Sequence, residues 1–209
     1  MAIPEDFFGE ILEINPLLTP KLTDATIFRA VQDYLDGGDK KQFIVKKHGD
    51  ISNWDVSNVT TMSEMFYISS FNQPLNKWNV SNVKNMTQMF EGATRFNQPL
   101  NNWNVSNVMD MACMFMKAKS FNQSLNNWNV SNVTRTRQMF DGAKSFNQPL
   151  NDWNVSNVTE MAWMFSNAES FNQPLNDWNV SNDDETNMHN MFADATSFNQ
   201  PLHAPWYDN

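Results

Sequence analysis

The chain has 209 residues, with 14 Lys and Arg against 23 Asp and Glu and a formal charge of −9. That balance argues against nucleic-acid binding, which needs a basic stripe, and no apolar run approaches the ~18 residues of a membrane span. Sixteen Phe and eight Trp against six Gly point instead to a packed aromatic core.

The opening MAIPEDFFGEILEINP is acidic and broken by Pro4 and Pro16. It lacks the basic region of a signal peptide and the cysteine of a lipoprotein leader, so the chain is expected in the cytoplasm or a virion rather than at a cell surface. Phe7, Phe8, Ile11, Leu12 and Ile14 form an apolar stripe, helical until Pro16, that packs on the helical cap or docks on a partner. Thr23 or Asp24 is placed to cap a helix with an apolar face of Ile27, Phe28, Val31, Tyr34 and Leu35, ending at Gly37-Gly38. A second short helix is expected over Lys40–Lys47, and His48-Gly49-Asp50-Ile51 leads out of it. Residues 1–50 therefore read as a helical N-terminal cap and residues 51–209 as a separate repeat array.

From Ile51 the phrase FNQPLNxWNVSNVxxMxxMFxxAxx recurs about six times. Trp54, Trp78, Trp103, Trp128, Trp153 and Trp178 mark its beat, with a late Trp206. A fixed period of this length is the signature of a solenoid, in which each unit buries its apolar face only against its neighbours. In the second copy, Trp78-Asn79-Val80 alternates inward and outward, the period of a short strand. Val83, Met86, Met89, Phe90 and Ala93 then recur at three and four residues, one face of a short helix, with Ser81 or Asn82 as its cap. Pro99 in the return segment cannot belong to a fully paired central strand. The expected fold class is α/β, a right-handed leucine-rich-repeat-like solenoid of strand–helix coils, with the six Trp as its structural core.

The repeated asparagines of FNQ and NVSN are expected to form side-chain ladders that satisfy turn backbone. Ten Asn-x-Ser/Thr sequons occur, but coils ~5 Å apart leave no room for a glycan on every copy. Thr136 replaces a core Met in the fourth copy. In the sixth, Asp183-Asp184-Glu185 accompanies two extra residues, read as a solvated acidic bulge rather than a calcium loop. Leu202 to Tyr207 begins another copy that Pro205 and the terminal charge blunt; alternatively, Trp206 and Tyr207 contact a neighbouring molecule.

FNQPLNNWNVSNV followed by MxxMFxxA resembles the BspA-like leucine-rich-repeat surface proteins across residues 51–209, and IFRAVQDYL…KKHGDISNWDVSNV resembles that family's helical lead-in. The resemblance implies a leucine-rich-repeat-like solenoid, no cofactor, and roles in adhesion or protein binding. Such repeats occur in bacterial surface proteins, protists and large DNA viruses; the missing leader departs from the surface pattern. MAIPEDFFGEIL also resembles the opening of an F-box, an adaptor helix, although the remainder of that motif is not recognisable.

Chemistry has little footing. His48, His189 and His203 share no metal-ligand spacing, Cys113 is a lone thiol at a variable position, and no phosphate loop or nucleophile elbow occurs. No catalytic residue, metal site or cofactor is assigned. The candidate binding positions are Asn79, Asn104, Asn129, Asn154 and Asn179, one polar row on the uniform face, together with Trp206 and Tyr207. The leading reading is a non-enzymatic scaffold that docks on other proteins through its helix face or ends, with self-association included. In a viral setting it would be a minor structural component of the particle. The alternatives are an adhesin or carbohydrate-binding surface protein using the asparagine row, and an F-box-like adaptor with a repeat substrate-binding domain.

Overall fold

The protein is described from a computed structural model covering residues 21–181 and 186–201. Helix α1 (Asp24–Asp36) starts where the Thr23 carbonyl accepts from the amides of Thr26 and Ile27, each at 2.9 Å, while Thr26 Oγ1 accepts from the Thr23 amide at 3.0 Å. Gly37, at φ +75°, takes the left-handed turn that a β-carbon would resist, and α2 (Gly38–His48) comes at once after it. Ile27, Ala30, Val31 and Tyr34 make the buried face of α1. Tyr34 meets Trp54 edge-on at 5.8 Å and Phe71 at 6.5 Å, so the helix seals the apolar end of the first repeat copy. Without such cover a stack of repeats exposes its core.

The strap into α1 is itself bound to that copy. The Leu22 amide donates to the Asp55 carbonyl at 3.0 Å, and Thr23 makes a parallel bridge with Asn58. The Asp24 carboxylate accepts from the amides of Thr60 (2.7 Å) and Thr61 (3.2 Å) and from Thr60 Oγ1 (2.6 Å).

Residues 83–93 do not form the expected short helix, nor do their counterparts in other copies: after a 3-10 turn at Ile51–Asn53, no helix occurs among the described residues. The run is a chain of turns. Met86 accepts from the amide of Met89, Gln88 from Glu91 and Phe90 from Ala93, at 3.0 to 3.2 Å. Between these, the amides of Met86, Gln88, Phe90 and Gly92 donate to the carbonyls of Asp110, Ala112, Met114 and Met116 of the next copy, at 2.7 to 2.9 Å. The same four-bond pattern joins each successive pair of copies, from Met62→Asn85 to Asn167→Ala193. Because the Thr87 carbonyl and the Gln88 amide belong to one peptide unit, alternate peptides point the same way along the stack. Parallel bridges Thr61↔Asn85↔Asp110↔Arg135↔Glu160↔Asn187 mark the register.

This geometry needs two left-handed residues per copy. One column is Glu64, Gln88, Cys113, Gln138, Trp163 and Asn190; the other is Ile68, Gly92, Lys117, Gly142, Asn167 and Asp194, with φ between +46° and +67°. Apolar spacing at three and four residues arises because each turn advances the chain by about that amount. The periodicity is helical in appearance and turn-made in substance. The Trp78-Asn79-Val80 segment is likewise no regular strand, although Trp78 and Val80 are buried and Asn79 is exposed.

The core is a set of aromatic columns. Phe66, Phe90, Phe115, Phe140, Phe165 and Phe192 stack at 5.3 to 5.7 Å with planes within 7°. Phe71, Phe96, Phe121, Phe146, Phe171 and Phe198 form a second column at 5.9 to 6.2 Å. Trp54, Trp78, Trp103, Trp128, Trp153 and Trp178 are all buried. Offset stacking adds to the burial of such rings. Thr136, in the place of a core Met, is 2% exposed, and its hydroxyl donates to the Glu160 carbonyl at 3.3 Å.

Candidate binding surfaces

Several uniform polar columns bond from copy to copy. The indole N–H groups of Trp103, Trp128, Trp153 and Trp178 donate to the carbonyls of Leu75, Leu100, Leu125 and Leu150 in the preceding copy, at 2.8 to 3.1 Å. The FNQ asparagines form a ladder: Asn97 Oδ1 accepts from the Asn122 amide at 2.9 Å and from Gln123 Nε2 at 3.0 Å, and Asn122 repeats this with Asn147 and Gln148. The second asparagine of NVSN reaches back in the same way, Asn107 to Ser81, Asn132 to Ser106 and Asn157 to Ser131, each at 2.7 Å. A third column runs along the edge, where Asn126 donates to Asp152 at 2.5 Å and Asn151 donates to Asp177. On this side, side chains supply the bonds between copies that backbone supplies on the turn side. A buried or half-buried amide left unpaired would cost about 1–3 kcal/mol, which accounts for the sameness of these positions.

The candidate row behaves differently. Asn79, Asn104, Asn129 and Asn154 are exposed, and each Oδ1 accepts from the amide two residues on, at Ser81, Ser106, Ser131 and Ser156, at 3.2 Å. Asn179 holds the same register and is exposed. In the first copy Asp55 stands in this column and accepts from the Ser57 amide at 3.0 Å and its hydroxyl at 2.6 Å. The Ser57 hydroxyl and amide outweigh partial burial and hold the Asp55 carboxyl below its ordinary range, with Lys21 at 3.5 Å helping. Trp206, Tyr207 and the acidic run Asp183-Asp184-Glu185 lie outside the described residues, as does His203.

The turn side carries the variation. Asp110 is largely buried; its Oδ1 accepts from the Ala112 amide at 3.0 Å, and its Oδ2 is held by Arg135 Nε at 2.9 Å and by a second guanidinium nitrogen at 2.7 Å. Lys144 pairs with Glu169 at 2.5 Å. Arg137 lies over the Trp163 ring at 5.2 Å, and His189 meets that ring edge-on at 5.3 Å. Sequence reasoning missed this Arg–Trp–His cluster; the available signal was that 137, 163 and 189 lie 26 residues apart, so they meet in adjacent copies. Cys113, half-buried and left-handed, has its thiol pushed up to about 11, chiefly by burial and then by the nearby Glu91 carboxylate. Among the described residues no three His, Cys, Asp or Glu side chains gather closely enough to hold a metal ion, and no helix is long and apolar enough to cross a membrane.

Residues 39–141 and 124–208 match the model of a family described as Mycoplasma protein of unknown function, DUF285. The chain belongs to that family. The two matches overlap and together span almost the whole array, as expected of a repeat protein read in two registers. No curated protein and no solved structure matches it. At the level of a repeat family this agrees with the BspA-like resemblance. The family's own description assigns no function.

Proposed function

We propose that this DUF285 member is a non-enzymatic repeat scaffold, a solenoid of the leucine-rich-repeat-like class closed at its front by the α1–α2 cap, that docks on other proteins through its turn face. The observation that carries this reading is the division of labour between its two sides. The uniform side spends its asparagines and tryptophans on bonds between copies. The turn side is held by backbone and is free to change its side chains, and there columns such as Thr94, Lys119, Lys144 and Glu169, or Gly92, Lys117, Gly142 and Asn167, change from copy to copy. Recognition of an irregular protein surface needs that kind of diversity. Protein captured by the purified chain from a lysate of its source should be lost on changing Lys117, Lys119 and Lys144 to Glu. Capture indifferent to those changes contradicts the turn face as the docking side.

A second reading, a carbohydrate-binding row, is favoured by one feature: each Asn79-type residue is exposed, and it is the side-chain oxygen that makes the local turn. Asp55 supplies the test, since an aspartate keeps the turn and removes the donor. Changing Asn79, Asn104, Asn129 and Asn154 to Asp should abolish any signal on a glycan array if the row binds sugar. Glycan binding that survives those four changes sinks the second reading.

A further inference from the structure

Among the described residues the cap leaves an apolar groove with largely basic walls. Helix α2 buries one side chain, Ile44, along its 11 residues, while Phe43 is 64% exposed. Between α1 and α2 lies a cleft of about 340 Å³, floored by Leu22, Ala30 and Ile44, edged by Phe43, and walled by Lys21, Arg29 and Lys47. Arg29 lies 2.9 Å from Asp33, which also lines the cleft, and Lys21 lies 3.5 Å from Asp55, so Lys47 is the wall cation with no ion pair among the described residues. In a chain of net charge −9, residues 21–48 carry six Lys and Arg against four Asp. A short helix with a single buried side chain and a large exposed aromatic has unsatisfied apolar surface.

The complement exists within the same chain. Residues 1–20 hold Glu5, Asp6, Glu10 and Glu13, no basic residue, and the apolar set Phe7, Phe8, Ile11, Leu12 and Ile14. Lys21, the first described residue, is itself a wall of the cleft, so the chain leaves the described part at the groove. A tethered segment acts at an effective concentration in the millimolar range, which a separate partner must exceed to displace it. We propose that residues 1–20 occupy the α1–α2 groove of their own chain, apolar side chains against Phe43 and Ile44 and carboxylates toward Lys47 and Arg29. The cap would then be a three-part unit, and the segment resembling an F-box opening would be a self-ligand.

Zero-length carbodiimide crosslinking of the full chain, read by mass spectrometry, tests this. Amide bonds should form between Glu10 or Glu13 and Lys47, at a yield unchanged by tenfold dilution. The Lys144–Glu169 pair, 2.5 Å apart, is the internal standard for a folded array. Changing Phe7 and Ile11 to Ser should lower the Lys47 yield at least fivefold and leave the Lys144–Glu169 yield alone. Absence of the Lys47 product beside a normal Lys144–Glu169 product overturns the proposal. So does a Lys47 product found only between light and 15N-labelled chains, which would place a second copy in the groove, or a yield indifferent to the two Ser changes.

Discussion

Single residues in this protein differ sharply in what they are for, even where the sequence repeats them identically. Asn122 accepts the Asn147 amide and Gln148 Nε2, and its own amide donates to Asn97. Asn129 makes only a local turn with Ser131. Asn122→Ala should therefore cost about 1–3 kcal/mol in urea unfolding, because it strands a half-buried amide of the next copy, whereas Asn129→Asp should stay within about 0.5 kcal/mol. Equal losses at the two sites would contradict the ladder. Cys113 supplies a second test at this scale. With the thiol raised to about 11 from its ordinary value, native protein at pH 8 should alkylate about a hundredfold more slowly than urea-unfolded protein. Alkylation at the unfolded rate would mean that the turn around Cys113 does not hold.

At the scale of elements, the junction of α1 with the first copy rests on Asp24. Burial acts to raise its pKa, but the Thr60 hydroxyl and the amides of Thr60 and Thr61 together hold it below the ordinary value. A depressed carboxylate pKa contributes stability that is present above the unfolded value and lost as pH falls through the folded one. Asp50 and Asp55, beside the same junction, are lowered too, by Ser52 and Ser57. Amides of α1 should accordingly lose exchange protection below about pH 4 before those of the central copies do. Asp24→Ala should weaken the docking of α1 by about 1 kcal/mol and remove part of that pH dependence. Protection of α1 that is flat in pH and untouched by the substitution would show that the helix is held by packing alone.

The helix cap and the core columns were legible in the sequence for a common reason: burial tracks apolar spacing, and Tyr34, Trp78, Met86 and Phe90 are where spacing places them, whereas Phe28, set on the apolar face of α1 by the same spacing, is 51% exposed. The turn run was not, because Val83, Met86, Met89, Phe90 and Ala93 satisfy a helical template and a chain of turns equally well. One column did carry the distinction. Gly92, Gly142, Asn167 and Asp194 share a position with Ile68 and Lys117, and the Gly, Asn and Asp among these six are what a left-handed residue selects. The asparagine row was legible as a row but not as a turn device, since an Asx turn and a ligand contact call for the same residue.

At the scale of the whole molecule, the copies have no separate cores. Buried side chains from Leu22 to Met191 form one apolar cluster, and every junction repeats the same four backbone bonds. A cut anywhere exposes an apolar face, so a defect in one copy should be felt across the array. Phe115→Ala, in the middle of the first phenylalanine column, should cost about 3–5 kcal/mol, and urea transitions monitored by fluorescence and far-UV dichroism should shift together.

Residue-resolved hydrogen exchange of the native chain tests the central claim most directly, because it reads each turn-side amide separately. Amides donating between copies, such as Met86, Gln88, Phe90, Gly92, Phe115 and Phe140, should share one high protection level and lose it together as urea is added. Protection that differs from copy to copy, or that matches the i to i−4 pattern of isolated helices, would contradict a single array joined by bonds from copy to copy.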